Sequence, residues 1–169
     1  MISAQRFPND FDGIIAGAPA ANYSGLKFSQ AWRTQAISQS TLTEAKVATL
    51  GKVIYQACDP LDGSADGLIS DPRRCDFIPS RDLPICSAQE ELSSSCFSRS
   101  EIKALEKYYD PVKINERIVY PAMPVGSEVL GSDGPSARVG WYPWLINANG
   151  RTLFDALGSD FFRYMVTIK

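Results

Sequence analysis

From Cys58 to Cys75 the chain reads Cys-Asp-Pro-Leu-Asp-Gly-Ser-Ala-Asp-Gly-Leu-Ile-Ser-Asp-Pro-Arg-Arg-Cys. Asp59, Asp62 and Asp66 fall within eight residues, punctuated by Gly63 and Gly67 and bracketed by sulfur. Carboxylates are hard oxygen ligands, and a loop that gathers them either neutralises them with a hard cation or leaves them in water. Calcium suits such a loop because it accepts several oxygens at about 2.3–2.6 Å with loose geometry. Glycine tolerates positive φ, which lets a backbone fold around an ion and offer carbonyls between side chains. The spacing departs from that of an EF-hand, which alternates acidic positions and closes on a glutamate. Two readings stand on these residues alone: a calcium loop, or a solvated Asp-Gly turn.

Four cysteines, at 58, 75, 86 and 96, and no histidine exclude a mixed Cys/His zinc centre. Of the three pairings four cysteines permit, the sequential one, Cys58–Cys75 and Cys86–Cys96, closes two short loops rich in turn residues. A bridge of that span contributes about 3 kcal/mol in the chain-entropy treatment. Disulfides belong to an oxidising compartment, so a secreted or periplasmic parent is expected. The opening residues Met1–Arg6 contain no hydrophobic leader, which leads us to expect a piece of something longer. A net charge of −2 and the absence of a basic run lead us to expect no nucleic-acid or anionic-membrane partner. No apolar stretch approaches the ~18 residues of a membrane-spanning helix.

Along the chain, Met1–Phe7 reads as the end of a helix stopped by Pro8. Gly13–Pro19 is a short apolar run of the kind a buried parallel strand has. No second strand of that kind exists to pair with it, so it is expected to belong to a larger sheet. Leu26, Phe28, Ala31, Trp32, Ala36 and Ile37 predict a helix to Ser38 with one apolar face. A second helix is predicted over Glu44–Ala57, capped by Thr41 or Thr43, with Val47, Leu50, Val53, Ile54 and Ala57 as its buried stripe. Ser98-Arg99-Ser100-Glu101 is a capping box that opens a helix over Arg99–Tyr109, with Ile102, Leu105 and Tyr109 on one face. Residues 110–150 are rich in Gly and Pro and predict loops with short strand pairs such as Arg117–Tyr120. A last helix is predicted over Thr152–Val166.

Catalytic machinery is missing from these residues. No Gly-x-Ser-x-Gly elbow, no Ser/His/Asp triad and no phosphate-binding glycine loop occurs. The one dense carboxylate cluster is the loop described above, and groups holding a metal cannot also serve as acid and base. These residues alone are expected to catalyse nothing.

The segment Ala4-Gln5-Arg6-Phe7-Pro8-Asn9-Asp10-Phe11-Asp12-Gly13-Ile14-Ile15-Ala16-Gly17-Ala18-Pro19 resembles the stretch that follows the nucleophile elbow in tannases and feruloyl esterases. Cys58-Asp59-Pro60-Leu61-Asp62-Gly63, Asp66-Gly67 and Asp71–Cys75 resemble the calcium loop of that family's lid. Cys86, Cys96 and Ser98, then Tyr120-Pro121, Gly126-Ser127-Glu128 and Gly140-Trp141 with Trp144, continue the likeness over essentially the whole chain. The family's members are α/β-hydrolases with a lid inserted in the core sheet. The resemblance therefore implies that residues 1–21 are a remnant of that core, carrying the end of the nucleophile helix and the following strand. Residues 22–169 are implied to be the lid. The implied fold class is α+β, mainly helical and loop-rich, with small antiparallel β pieces, a calcium loop and two disulfides.

The resemblance further implies calcium (Ca2+) held by the side chains of Asp59, Asp62 and Asp66 and the carbonyls of Ser64 and Leu68. Ser64 stands where the family often has an aliphatic residue, a change that a main-chain ligand tolerates. It also supports the sequential pairing of Cys58, Cys75, Cys86 and Cys96. The implied function is the substrate-covering part of a carboxylic ester hydrolase that cleaves aromatic esters by Ser/His/Asp acyl transfer, inactive without its core. Trp141, Trp144, Phe161, Phe162 and Tyr164 are candidates to meet the ester's ring, and Arg151 or Arg163 a substrate carboxylate. The implied partners are the missing α/β-hydrolase core and the aromatic ester, with self-association through the exposed lid–core face. The reading from another class is a secreted, non-catalytic calcium-binding interaction module.

Overall fold

The second helix, α3 (Glu44–Cys58), forms the spine of the core. The Thr43 hydroxyl accepts from the Lys46 amide at 3.3 Å and starts it, satisfying one of the amides a helix N-terminus leaves open. The computed structural model describes residues 2–38, 40, 42–87, 93–129, 140–142, 144–146 and 152–166. Thr41, the other candidate cap, lies outside them. Val47, Leu50 and Ile54 are buried as the periodicity predicts, while Tyr55 and Cys58 take the inward positions assigned to Val53 and Ala57. Val53 remains half-buried against the core, and Cys58 faces inward where it bonds Cys75.

Against α3 packs α5 (Arg99–Tyr109), started by the predicted capping box: the Ser98 hydroxyl accepts from the Glu101 amide and the Glu101 carboxylate from the Ser98 amide. Ile102, Leu105, Tyr108 and Phe97 complete one hydrophobic cluster with Leu50, Ile54, Val129 and Trp141. The hairpin β1 (Val112–Ile114) and β2 (Arg117–Tyr120) pairs antiparallel. Its two-residue turn, Asn115-Glu116, has both φ angles positive, the geometry that matches the twist of a tight hairpin. Short helices complete the order: α1 (Ile2–Arg6), α4 (Pro79–Asp82) and two 3-10 turns at Asp59–Asp62 and Pro72–Arg74. Among the described residues the fold is thus helix-rich with one small antiparallel sheet and two disulfides, Cys58–Cys75 and Cys86–Cys96, paired in sequence order.

Three elements differ from expectation. Gly13–Pro19 forms no strand and is exposed throughout, because the described residues offer no neighbouring strand whose amides and carbonyls could pair with it. The helix α2 (Tyr23–Ser38) buries Lys27, Ser29, Gln30, Arg33, Ala36 and Ile37, leaving Phe28 and Trp32 half-buried. Arg33 fixes this rotation. Its Nε donates to the Tyr108 carbonyl at 3.0 Å and one terminal nitrogen to that of Pro121 at 2.9 Å, so the cation ties α2 to the negative C-terminal end of α5. The last segment coils as π-helical turns over Asp155–Ser159 and Phe161–Val166 rather than as a plain α-helix. It meets α2 at Gly158, where a Cβ would come within 2.6 Å of the Ala31 amide nitrogen.

Candidate functional site

The acidic loop leaves α3 through a 3-10 turn, with Pro60 near its start and Gly63 at φ 98° after its end. A second left-handed glycine, Gly67 at φ 82°, follows. Each aspartate grips the loop's own backbone: Asp59 Oδ2 accepts from the Gly67 amide at 2.9 Å, Asp62 Oδ1 from Ser64 at 3.0 Å and Asp66 Oδ1 from Leu68 at 3.1 Å. The Ser70 hydroxyl also donates to Asp62, and this bond, with the Ser64 amide, holds the Asp62 carboxyl below the usual carboxylate range. The Cys58–Cys75 bridge closes the base, its Cα atoms 5.3 Å apart.

Whether this loop fits a hard cation is tested by its donors. Asp59 is buried, and its Oδ1 has no hydrogen-bond partner among the described residues. A buried carboxylate oxygen without a donor costs free energy that a cation would recover. Asp62 and Asp66 point their carboxylates at neighbouring amides, and the described residues contain no group of three or more Asp, Glu, Cys or His side chains gathered as a metal centre. In kind of ligand the loop offers oxygens of the type calcium takes, with the buried Asp59 Oδ1 unpartnered, while the three carboxylates are not gathered at one point. Ser64 lies between Asp62 and Asp66, and Leu68 two residues past Asp66, both within the loop that the disulfide closes.

The aromatic residues singled out from sequence are dispersed. Trp141 is buried in the core, its ring 4.3 Å from that of Tyr108 and 5.9 Å from that of Tyr109. Trp144 is exposed and packs edge-on to Phe154. Phe161 sits between Tyr23 and Phe162, while Tyr164 and Arg163 face solvent. Arg151 lies outside the described residues.

Two buried polar arrangements carried no signal strong enough to predict. Lys46 Nζ meets Glu101 Oε2 at 2.7 Å inside the core. Glu128 accepts from the Tyr109 hydroxyl at 2.7 Å and the Gly126 amide at 2.8 Å, and burial pushes its carboxyl above the usual range. The Glu128 carbonyl also accepts from the Trp141 amide. The capping box marked Glu101 in the sequence, but nothing there marked its second partner.

The described residues thus form a helical, disulfide-stapled unit that carries an acidic loop. The chain belongs to the tannase and feruloyl esterase family, whose model matches residues 1–168. It is 32% identical over 172 residues to a probable feruloyl esterase B-2 of Aspergillus terreus, a match covering 97% of this chain and 29% of that protein. It is 34% identical over 151 residues to an uncharacterized esterase of Xanthomonas campestris, covering 86% of this chain and 24% of that protein. The crystal structure of feruloyl esterase B from Aspergillus oryzae superposes with a TM-score of 0.66 at 29% identity, covering 97% of this chain and 36% of that one. The chain thus spans less than a third of the length of these curated relatives.

Proposed function

We propose that these residues form the lid of a carboxylic ester hydrolase, residues 22–169, with residues 1–21 as a remnant of the α/β-hydrolase core. The observation that carries this reading is the family match along residues 1–168 of a chain that spans only 29% of a relative's length. The absence of histidine from the sequence supports it, since Ser/His/Asp acyl transfer then needs residues supplied from elsewhere. The exposed apolar side chains of Phe7, Phe11, Ile14 and Ile15 suit a segment that a core would cover. Without that core, the same patch favours self-association.

In this reading the lid covers the serine and contributes rings, among them Trp144, Phe161 and Tyr164, to the pocket for an aromatic ester. Trp141 acts from beneath, by fixing the fold. Calcium, bound by Asp59, Asp62 and Asp66 with the Ser64 and Leu68 carbonyls, stiffens the loop. The two disulfides suit a secreted or periplasmic parent. The test is to join the chain at both ends to the core of a family esterase and assay methyl ferulate. Cleavage by the joined protein and none by the chain alone is the expected result; a joined protein that folds and cleaves no aromatic ester overturns the reading.

A further inference from the structure

The hairpin of β1 and β2 is fastened at its base and bare at its tip. Val112 is fully buried, and the Arg33 guanidinium stands over the ring of its cross-strand partner Tyr120 at 5.9 Å. Toward the tip, Ile114 and Ile118 are 48% and 57% exposed. The turn between them holds Glu116 at φ 64°, a left-handed conformation that glycine takes without strain and glutamate does not. Strained backbone concentrates where a structure binds or switches, and a two-stranded ribbon by itself is marginal in water. The tip therefore combines strain with uncovered apolar surface.

Its position points to what covers it. Asn22 and Gly25, at the start of α2, line one cleft of about 840 Å³ with Ile114, Ile118 and Val119. In the next turn of chain, Tyr23 packs edge-on against Phe161 with ring centroids 5.7 Å apart. The first helix of the lid and its last helical segment thus meet beside this cleft. Residues 1–21 run into it through Asn22, so the body they belong to lies next to the hairpin. That body is large, since the chain covers 29% of its Aspergillus terreus relative.

We propose that the β1–β2 tip is where the lid seats on the α/β-hydrolase core, with Ile114 and Ile118 buried in an apolar recess of that core. The inference rests on the lid reading and deepens it by naming the contact surface. It assigns the hairpin a docking role, separate from any part in holding substrate.

The experiment is amide hydrogen exchange over residues 110–122, read by mass spectrometry on the chain alone and on the chain joined to the core of a family esterase. Joining should slow exchange at the tip by about tenfold or more, as an open element becomes a covered one. Ile114→Thr with Ile118→Thr keeps the β-branched shape that strands accept and removes apolar surface. This pair should cancel most of the slowing and leave the Tm of the chain alone unchanged. Ile78→Asp, at an exposed isoleucine before α4, should alter neither reading. If the joined protein does not fold, the core is supplied as a separate chain and the same protection is expected. A joined protein that cleaves ester while its tip exchanges as fast as in the chain alone overturns the docking proposal and spares the lid reading. A protected tip in a protein that cleaves nothing does the reverse. An effect of Ile78→Asp equal to that of the tip pair also overturns the proposal.

Discussion

Lys46 and Glu101 face each other at 2.7 Å with their side chains 4% and 0% exposed, joining the first turns of α3 and α5 through the core. The same Glu101 oxygen accepts the Ser98 amide, so one buried carboxylate serves a helix cap and an interhelical ion pair together. Removing one member of such a pair leaves a charge in a poorly solvating interior. Lys46→Ala should therefore lower stability by about 3–5 kcal/mol, read by urea unfolding. Lys46→Met combined with Glu101→Gln should recover at least half of that loss. A double variant as unstable as Lys46→Ala would refute the account in which an unpaired buried charge causes the loss.

Glu128 gives the protein a pH dependence of its own. Burial raises its folded pKa above the unfolded value of ~4.3. Below the unfolded value both states hold the proton and the fold carries no penalty. Between the two values the folded state binds more protons than the unfolded one, so stability falls as pH rises through the folded pKa. Glu128→Gln keeps one acceptor oxygen, for the Gly126 amide, turns its NH2 toward the Tyr109 hydroxyl oxygen, which can accept, and does not ionise. The wild-type stability curve should thus slope downward relative to the variant from about pH 4 upward, by at most ~1.4 kcal/mol per pH unit. Parallel curves from chemical denaturation at stepped pH would refute this account.

Calcium in the acidic loop should be visible as stabilisation by mass action. At a free concentration a hundredfold above its Kd, calcium should add about 2.7 kcal/mol to stability, and chelator should lower Tm accordingly. Asp59→Asn replaces the buried, unsatisfied carboxylate oxygen with a neutral amide. It should abolish most of the calcium-dependent shift. A Tm indifferent to both chelator and added calcium would leave the loop as a solvated turn.

The Cys58–Cys75 bridge closes a 17-residue separation at the base of that loop. Replacing both cysteines with serine should cost about 3 kcal/mol. If the bridge preorganises the calcium loop, the same variant should also bind calcium more weakly, by isothermal titration. Undiminished calcium affinity would separate the two devices.

Much of the framework is legible along the chain because it is local. Thr43 before α3 and the Ser98–Glu101 box before α5 each act within three or four residues of themselves. Cysteines that close short loops are legible for the same reason: their partners lie 17 and 10 residues away. The aspartates of the loop are legible as ligand types, while the direction in which each carboxylate points depends on backbone turns at Gly63 and Gly67.

The rest depended on residues far apart in sequence. By periodicity alone α2 should bury Phe28 and Trp32. Ala36 and Ile37 are buried as that pattern expects, but the two rings stay half-buried because Arg33 turns inward to reach carbonyls 75 and 88 residues away, since a buried guanidinium must be met by acceptors wherever the fold supplies them. Gly13–Pro19 has the composition of a strand, yet a strand exists only where another offers its hydrogen bonds. Sequence by itself pointed to the capping box, the sequential sulfur pairing and the family, since these rest on neighbouring residues or on the order of motifs. Tertiary structure alone decided which face of α2 turns inward and which aromatic rings and carboxylates are buried. Those outcomes follow from desolvation and packing between distant segments, which no local pattern encodes.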